Sequence, residues 1–174
     1  MLDAALIERF KAVKLLSLDL DGTLTDGGLY YLDDGSEMRK YHVQDGLGIV
    51  MALEAGIEVC LLTMSDTPAI SRRAERLKIR RFEMGVRDKL PRIHAICADL
   101  GIGLEQVAHV ADDVNDLSLL RGIGLPVAVA NARPEVKAVA RYVTAASGGN
   151  GAVREVCDLI LKSQNRMHGG FHGH

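Results

Sequence analysis

The chain has 174 residues and a mass of 18.8 kDa, with 48% hydrophobic and 25% charged residues. A chain of that size forms one domain and buries roughly 70% of its unfolded surface, so it needs no disulfide or metal to hold it together. The 21 basic and 23 acidic residues leave a net charge of −2, without a basic run; Trp is absent and there are only three Phe and four Tyr. That excludes the basic footprint and the stacking platform of a nucleic-acid binder and leaves a small molecule as the expected ligand.

The N-terminal residues are predicted as a helix over 4–13. Asp3, Glu8, Arg9 and Lys11 interrupt its apolar residues, so it is neither a signal-peptide core nor a membrane span. A cytoplasmic protein without a membrane partner is expected. Cys60, Cys97 and Cys157 are widely spaced among apolar neighbours, without zinc-site spacing, and are read as small buried side chains in a reducing compartment.

A strand over 14–19 follows, rich in Leu and ending in Asp19-Leu20-Asp21-Gly22-Thr23. Residues 29–43 place turn residues, Asp33-Asp34-Gly35-Ser36, between two β-prone runs, which predicts an inserted hairpin. Beyond it, helices are predicted over 46–55, 68–77, 89–100, 115–121, 134–140 and 152–162. Strands are predicted over 57–63, 81–84, 107–112, 126–130 and 142–143. Short Val, Leu and Ile runs alternating with amphipathic stretches give an α/β fold, a Rossmann-like doubly wound parallel sheet with helices on both faces. One domain is expected over 1–162, with the hairpin insertion at about 28–43. The Gly/His-rich residues 163–174 are expected as a flexible tail, whose histidines would bind a metal weakly at most.

The chemistry gathers where strands end. Side chains alternate along a strand, so Asp19 and Asp21, two residues apart, are expected to point the same way, into the crevice beyond the carboxyl ends of a parallel sheet. Two adjacent carboxylates need a bound cation or a shared proton, which predicts Mg²⁺ or a raised pKa on one of them. Thr63 ends the second strand of the sheet region, Asp88-Lys89 opens a helix, and Asp112-Asp113 ends a later strand with Asp116 one helical turn on. Each alone reads as a cap or a solvated charge. Together they put acids, a hydroxyl and a lysine on one rim, an oxygen-rich set suited to a hard cation. Phosphate monoester hydrolysis uses such a set, because a carboxylate nucleophile, a metal, a cation and a general acid must act together to overcome its barrier.

In this order, Asp19-Leu20-Asp21-Gly22-Thr23, Thr63, Lys89 and Asp112-Asp113-x-x-Asp116 resemble the four motifs of the haloacid dehalogenase superfamily of phosphatases. Over about residues 12 to 162 the likeness narrows to the 3-deoxy-D-manno-octulosonate 8-phosphate phosphatases. It is carried by Thr25-Asp26-Gly27, Asp45-Gly46-Leu47-Gly48 and Gly148-Gly149-Asn150-Gly151-Ala152-Val153-Arg154-Glu155. The resemblance implies a Mg²⁺-dependent phosphatase of a sugar-acid phosphate that works through an aspartyl-phosphate. It also implies no cap domain, and a homotetramer built by the hairpins in which the Gly-rich C-terminal segment reaches a neighbouring active site. By position, Asp19 would be the nucleophile and Asp21 the general acid and base. Asp19, the Asp21 carbonyl and Asp112 would hold the metal, Thr63, Met64 and Lys89 would clamp the phosphate, and Asp113 and Asp116 would orient the metal shell and Lys89. Ser65, Arg73 and Arg154 are candidate substrate contacts, the arginines because their fork matches a carboxylate.

Two positions depart from that pattern. Met64-Ser65 stands where the family commonly has Gly followed by Arg or Glu, and Ala111 where it usually has Gly. The first removes the charge expected to help select the substrate. It leaves a nine-carbon ulosonate 9-phosphate, another small sugar phosphate, or a non-catalytic oligomeric binding protein of the same fold as alternatives.

Overall fold

A computed structural model of the chain describes residues 2–167. Six strands form one parallel sheet: β1 (Leu15–Leu18), β4 (Glu58–Leu62), β5 (Arg81–Glu83), β6 (Val107–Ala111), β7 (Leu125–Ala128) and β8 (Tyr142–Val143), in the order β5-β4-β1-β6-β7-β8. A separate antiparallel pair, β2 (Tyr30–Tyr31) and β3 (Glu37–Met38), is the predicted hairpin. The helices are α1 (Ala4–Ala12), α2 (Val43–Glu54), α3 (Pro68–Arg76), α4 (Leu90–Leu100), α5 (Leu117–Gly122), α6 (Pro134–Val139) and α7 (Ala152–Ser163). The doubly wound fold is as expected, and among the described residues the hairpin is the only insertion between β1 and α2.

The central strand is buried along its whole length because both of its faces are covered. Leu16 and Leu18 point into the larger core with Val59, Leu61, Val110 and the buried faces of α2 and α7. Leu15 points the other way, with Cys60, Leu62 and the α4 residues Ile93, Ile96 and Cys97. Asp45, near the start of α2, explains one of the sequence signatures. Its buried carboxylate accepts hydrogen bonds from Gly151 N at 3.2 Å and Arg154 N at 2.8 Å, capping α7 from across the fold. Gly48 lies against the main chain of Arg154 and Cys157 Cβ on α7, where a side chain would press the two helices apart, and Gly46 lies against the end of the Arg73 side chain. This Asp-Gly-Leu-Gly stretch serves packing.

Several boundaries differ from expectation. β1 stops at Leu18 and β6 at Ala111, so Asp19 and Asp112 lie just past their strands. α2 starts at Val43 instead of 46, and a short 3-10 turn, Val114–Asp116, precedes α5. Gln164 and Arg166, expected to belong to the flexible tail, are instead tied to the domain: Gln164 Nε2 donates to Val13 O at 2.8 Å and Arg166 Nη1 to Ala55 O at 2.9 Å. Residues 168–174, with most of the predicted tail, lie outside the described residues. Cys60, Cys97 and Cys157 are buried free thiols, as read. No described helix is long and apolar enough to cross a membrane.

Candidate active site

Asp19, Asp21, Thr63, Met64, Asp112, Asp113 and Asn115 line one open cavity of about 250 Å³ at the carboxyl ends of β1, β4 and β6. A larger hollow of about 310 Å³ opens where β4 begins, and no predicted site residue lines it.

Strand alternation is not what brings Asp21 to the cavity. The chain leaves the sheet at Leu18 and wraps around Leu20, whose carbonyl accepts from Thr23, Leu24 and Thr25 N. Thr25 Oγ1 braces the turn by accepting from the amides of Gly22 and Gly27, each at 3.2 Å. Gly22 has φ of +84°, and a Cβ there would fall inside the Asp112 carboxylate, so glycine is required on both counts.

Lys89 arrives from beneath. It stands just before α4 and is 2% exposed, with its Nζ 2.6 Å from Asp19 Oδ1 and 2.8 Å from Asp116 Oδ1. Burial works against its charge, but the two carboxylates outweigh that and raise its pKa, which keeps the ammonium ionised. Asp116 is fully buried; burial alone would push its carboxyl up, yet His109 and Lys89 hold it below the usual carboxylate range. His109 sits on β6 opposite Ser17 of β1, with Nδ1 2.9 Å from Ser17 Oγ and Nε2 3.2 Å from Asp116 Oδ1. A buried polar column, Ser17–His109–Asp116–Lys89–Asp19, therefore runs under the sheet face into the cavity. His109 and Ser17 read as strand residues in the sequence, and nothing there marked them as part of the site.

Asp19 and Asp112 face each other. Burial raises the carboxyl of Asp19, and burial together with the charges of Asp19 and Asp113 pushes that of Asp112 up to about 7. A buried carboxylate facing a half-buried one, beside a main-chain carbonyl, offers the oxygen ligands that suit a hard divalent cation, so the residues fit Mg²⁺. Among the described residues no three His, Cys, Asp or Glu side chains form a metal cluster; the expected set has two carboxylates and a main-chain carbonyl. A pH dependence follows from the pKa values. A carboxyl raised in the folded state holds its proton longer than in the unfolded chain, so its stabilising effect is complete below pH 4 and is lost as pH rises through about 7. Metal-free protein should therefore gain more Tm from Mg²⁺ at pH 8 than at pH 5 by thermal unfolding, and an equal gain at both would refute the linkage.

The other predicted residues divide. Thr63 is buried at the cavity, its Oγ1 accepting from Ser65 N at 3.1 Å, and Met64 is exposed at the rim. Asp113 is exposed, and its carboxylate caps Val114 N at 2.7 Å; in contrast to Asp116, it holds neither Lys89 nor Asp112. The two arginines offered as substrate contacts lie outside this chain's own cavity. Arg73 lies over the Tyr41 ring at 5.1 Å, and Arg154 pairs with Asp158 at 2.8 Å one turn along α7; neither lines the cavity. The Gly-rich segment also binds its own chain. Gly149 N donates to Thr23 O at 2.9 Å and Gly148 N to Asn131 Oδ1 at 2.9 Å, so 148–149 backs the Asp19–Asp26 turn from within the same molecule.

Sequence reasoning also missed Arg39. It leaves β3 and turns inward until its side chain is 3% exposed, where Nε donates to Asp21 Oδ1 at 2.8 Å and Nη2 to Ser65 Oγ at 2.7 Å. Its only sequence signal was a lone arginine at the end of a predicted hairpin.

A parallel sheet with a paired-carboxylate metal site, a buried lysine and a hydroxyl at adjacent strand ends defines a metal-assisted phosphoryl-transfer hydrolase. A sequence profile of haloacid dehalogenase-like hydrolases matches residues 83–156. The chain is 40% identical over 163 residues to 3-deoxy-D-manno-octulosonate 8-phosphate phosphatase KdsC of Yersinia pestis, covering 94% of this chain and 87% of that one. The crystal structure of the Yersinia pestis 3-deoxy-D-manno-octulosonate 8-phosphate phosphatase superposes with a TM-score of 0.94 at 39% identity, over 97% of this chain and 91% of the other. That from Moraxella catarrhalis, in complex with magnesium ion, phosphate ion and KDO molecule, gives 0.89 at 40% identity over 91% of each chain. The chain belongs to the 3-deoxy-D-manno-octulosonate 8-phosphate phosphatase family of haloacid dehalogenase-like hydrolases, and is a phosphoric monoester hydrolase.

Proposed function

We propose that the protein hydrolyses 3-deoxy-D-manno-octulosonate 8-phosphate with Mg²⁺ as cofactor. The observation that carries this reading is the placement of Asp19: a nearly buried carboxylate, facing Asp112, 2.6 Å from a buried ammonium, and sharing one cavity with Asp21. The close kinship to enzymes of that name supplies the substrate.

A carboxylate oxygen of Asp19 attacks phosphorus, the ester P–O bond breaks, and Asp21 gives its proton to the leaving sugar alkoxide. Water then attacks the phosphoryl-Asp19 and passes a proton to Asp21, and inorganic phosphate leaves as the Asp19 carboxylate reforms. Thr63, the chain at Met64 and Lys89 hold the phosphate oxygens, with Lys89 matching the charge they carry at the transition state. Asp116 keeps Lys89 pointed at Asp19. Asp19, Asp112 and the Asp21 carbonyl would hold Mg²⁺, which when bound neutralises the carboxylate pair and polarises the phosphoryl group.

The decisive measurement is phosphate release from the octulosonate 8-phosphate beside a nine-carbon ulosonate 9-phosphate, with and without EDTA and with Asp19→Asn as blank. Mg²⁺-dependent release that favours the eight-carbon ester is expected; release of neither above the blank overturns the reading.

The assembly proposed is a homotetramer formed through the hairpin. Tyr30, Tyr31, Leu32 and Met38 are all about half exposed or more, an apolar surface that a solitary chain would leave wet. Light scattering should give a particle near four times 18.8 kDa in mass, and a monomer would remove this role for the hairpin. The buried, unpaired thiols suit the reducing cytoplasm, where we place the protein.

A further inference from the structure

The hairpin does more than offer an outer face for assembly. Arg39 is the only described residue whose side chain hydrogen-bonds the carboxylate of Asp21, and the same guanidinium donates to Thr67 Oγ1 at 2.5 Å, to Ser65 Oγ and to Glu37. One rigid fork thus links three segments: the hairpin, the turn after β1 and the loop after β4. A charge 97% removed from solvent is tolerated only when it is fully partnered, and here the partners are the two loops that form the cavity wall. Within the hairpin only Glu37 accepts from the inward-turned guanidinium; the other acceptors lie outside it, while Tyr31 and Met38 nearby face solvent.

Ser65 fits the same arrangement. Its hydroxyl accepts from Arg39, whereas a lysine or arginine there would set a second cation against the first. The cation beside the rim therefore comes from the hairpin, and the serine is its acceptor.

We propose that Arg39 is the positioning residue for Asp21, holding that carboxyl at the angle from which it protonates the leaving oxygen. The proposal rests on Asp21 being the general acid. Arg has a planar, directional fork that fixes an Asp oxygen, and a misplaced acid loses part of the ~10²–10⁴-fold that general acid catalysis contributes.

The signature of a lost acid is selective. Esters with a poor leaving group need the proton, and esters with a good one do not. The test is kcat/KM for aryl phosphates of similar size, phenyl phosphate against 4-nitrophenyl phosphate, in the Mg²⁺-loaded enzyme and its Asp21→Asn, Arg39→Met, Arg39→Lys and Ser65→Ala variants. This ratio of rate constants stops at departure of the leaving group, so hydrolysis of the phosphoryl-enzyme does not enter it. The phenyl to 4-nitrophenyl ratio should fall by about tenfold or more in Arg39→Met, less in Arg39→Lys and Ser65→Ala, and most in Asp21→Asn. An unchanged ratio in Arg39→Met, whether or not both rates drop together, overturns the proposal while Asp21→Asn still lowers it. An unchanged ratio in Asp21→Asn instead overturns the role of Asp21 itself.

Discussion

Replacing Lys89 with Met should cost phosphate release by at least ~10³-fold and should also destabilise the fold, two losses with one origin. The ammonium is buried between Asp19 and Asp116 and, among the described residues, is the only lysine paired with either. Without it, Asp19 and Asp116 stay in a low-dielectric space with no ammonium between them, which favours a proton on one of them. Removing one partner of a buried ion cluster typically costs ~3–5 kcal/mol. If Asp19 is the one protonated, the nucleophile is lost together with the cation that would balance the phosphoryl charge. Urea unfolding and saturating-substrate assays on the same preparation measure both effects. Lys89→Arg keeps the charge, but its wider fork does not fit a site built around a point charge, so it should recover stability more than activity. A Lys89→Met protein with turnover within tenfold of the parent would remove Lys89 from the chemistry.

Gly148→Ala is expected to have the second largest effect, although residue 148 touches no ligand group. A Cβ at Gly148 would run into the Gly22 carbonyl oxygen and would lie 2.6 Å from Gly22 C and 3.1 Å from Thr23 Cα. Both obstacles are main chain, so no rotamer change relieves the overlap; the turn that carries Asp19 and Asp21 has to move. Overpacking of this kind costs ~1–3 kcal/mol, and a shift near 1 Å in a reacting group costs ~10²-fold in rate. Gly151→Ala is the control. Its φ of +104° strains an alanine, but the nearest atoms to a new Cβ are 4.0 Å away, so it should lower Tm and leave turnover in place. Equal losses of turnover in the two variants would mean that loop strain, not pressure on the Asp19–Asp26 turn, controls the site.

The acids, Thr63 and Lys89 were legible because strand ends are legible: apolar runs stop, and polar residues at the stop lie on the same edge of a parallel sheet. That reasoning located Asp21 for an incorrect reason, since pleating ends at Leu18 and the turn around Leu20 does the placing. Period and spacing report on neighbours in the chain, so they missed Arg39, whose contacts at Ser65 and Thr67 depend on where the hairpin docks. His109 was hidden in another way. It occupies an inward strand position like any core residue, and only the pairing of β6 with β1 sets it against Ser17 and Asp116. Arg73 and Arg154 were chosen for their chemistry, and packing used them otherwise, against Tyr41 and Asp158.

The central strand of the sheet is made first, and its second neighbour, β6, comes only after β4, β5 and α4. Leu15 pairs with Glu58 on one side and with Val107 on the other, so β1 leaves the ribosome with both neighbours still unmade. Its exposed apolar edges must wait through synthesis of β4, β5 and α4, an interval in which an unpaired strand invites aggregation and chaperone capture. The cavity, in turn, cannot close until 148–149 has emerged and settled behind the turn at Gly22. A chain ending before 148 would therefore lack the main-chain backing of the turn that carries Asp19 and Asp21.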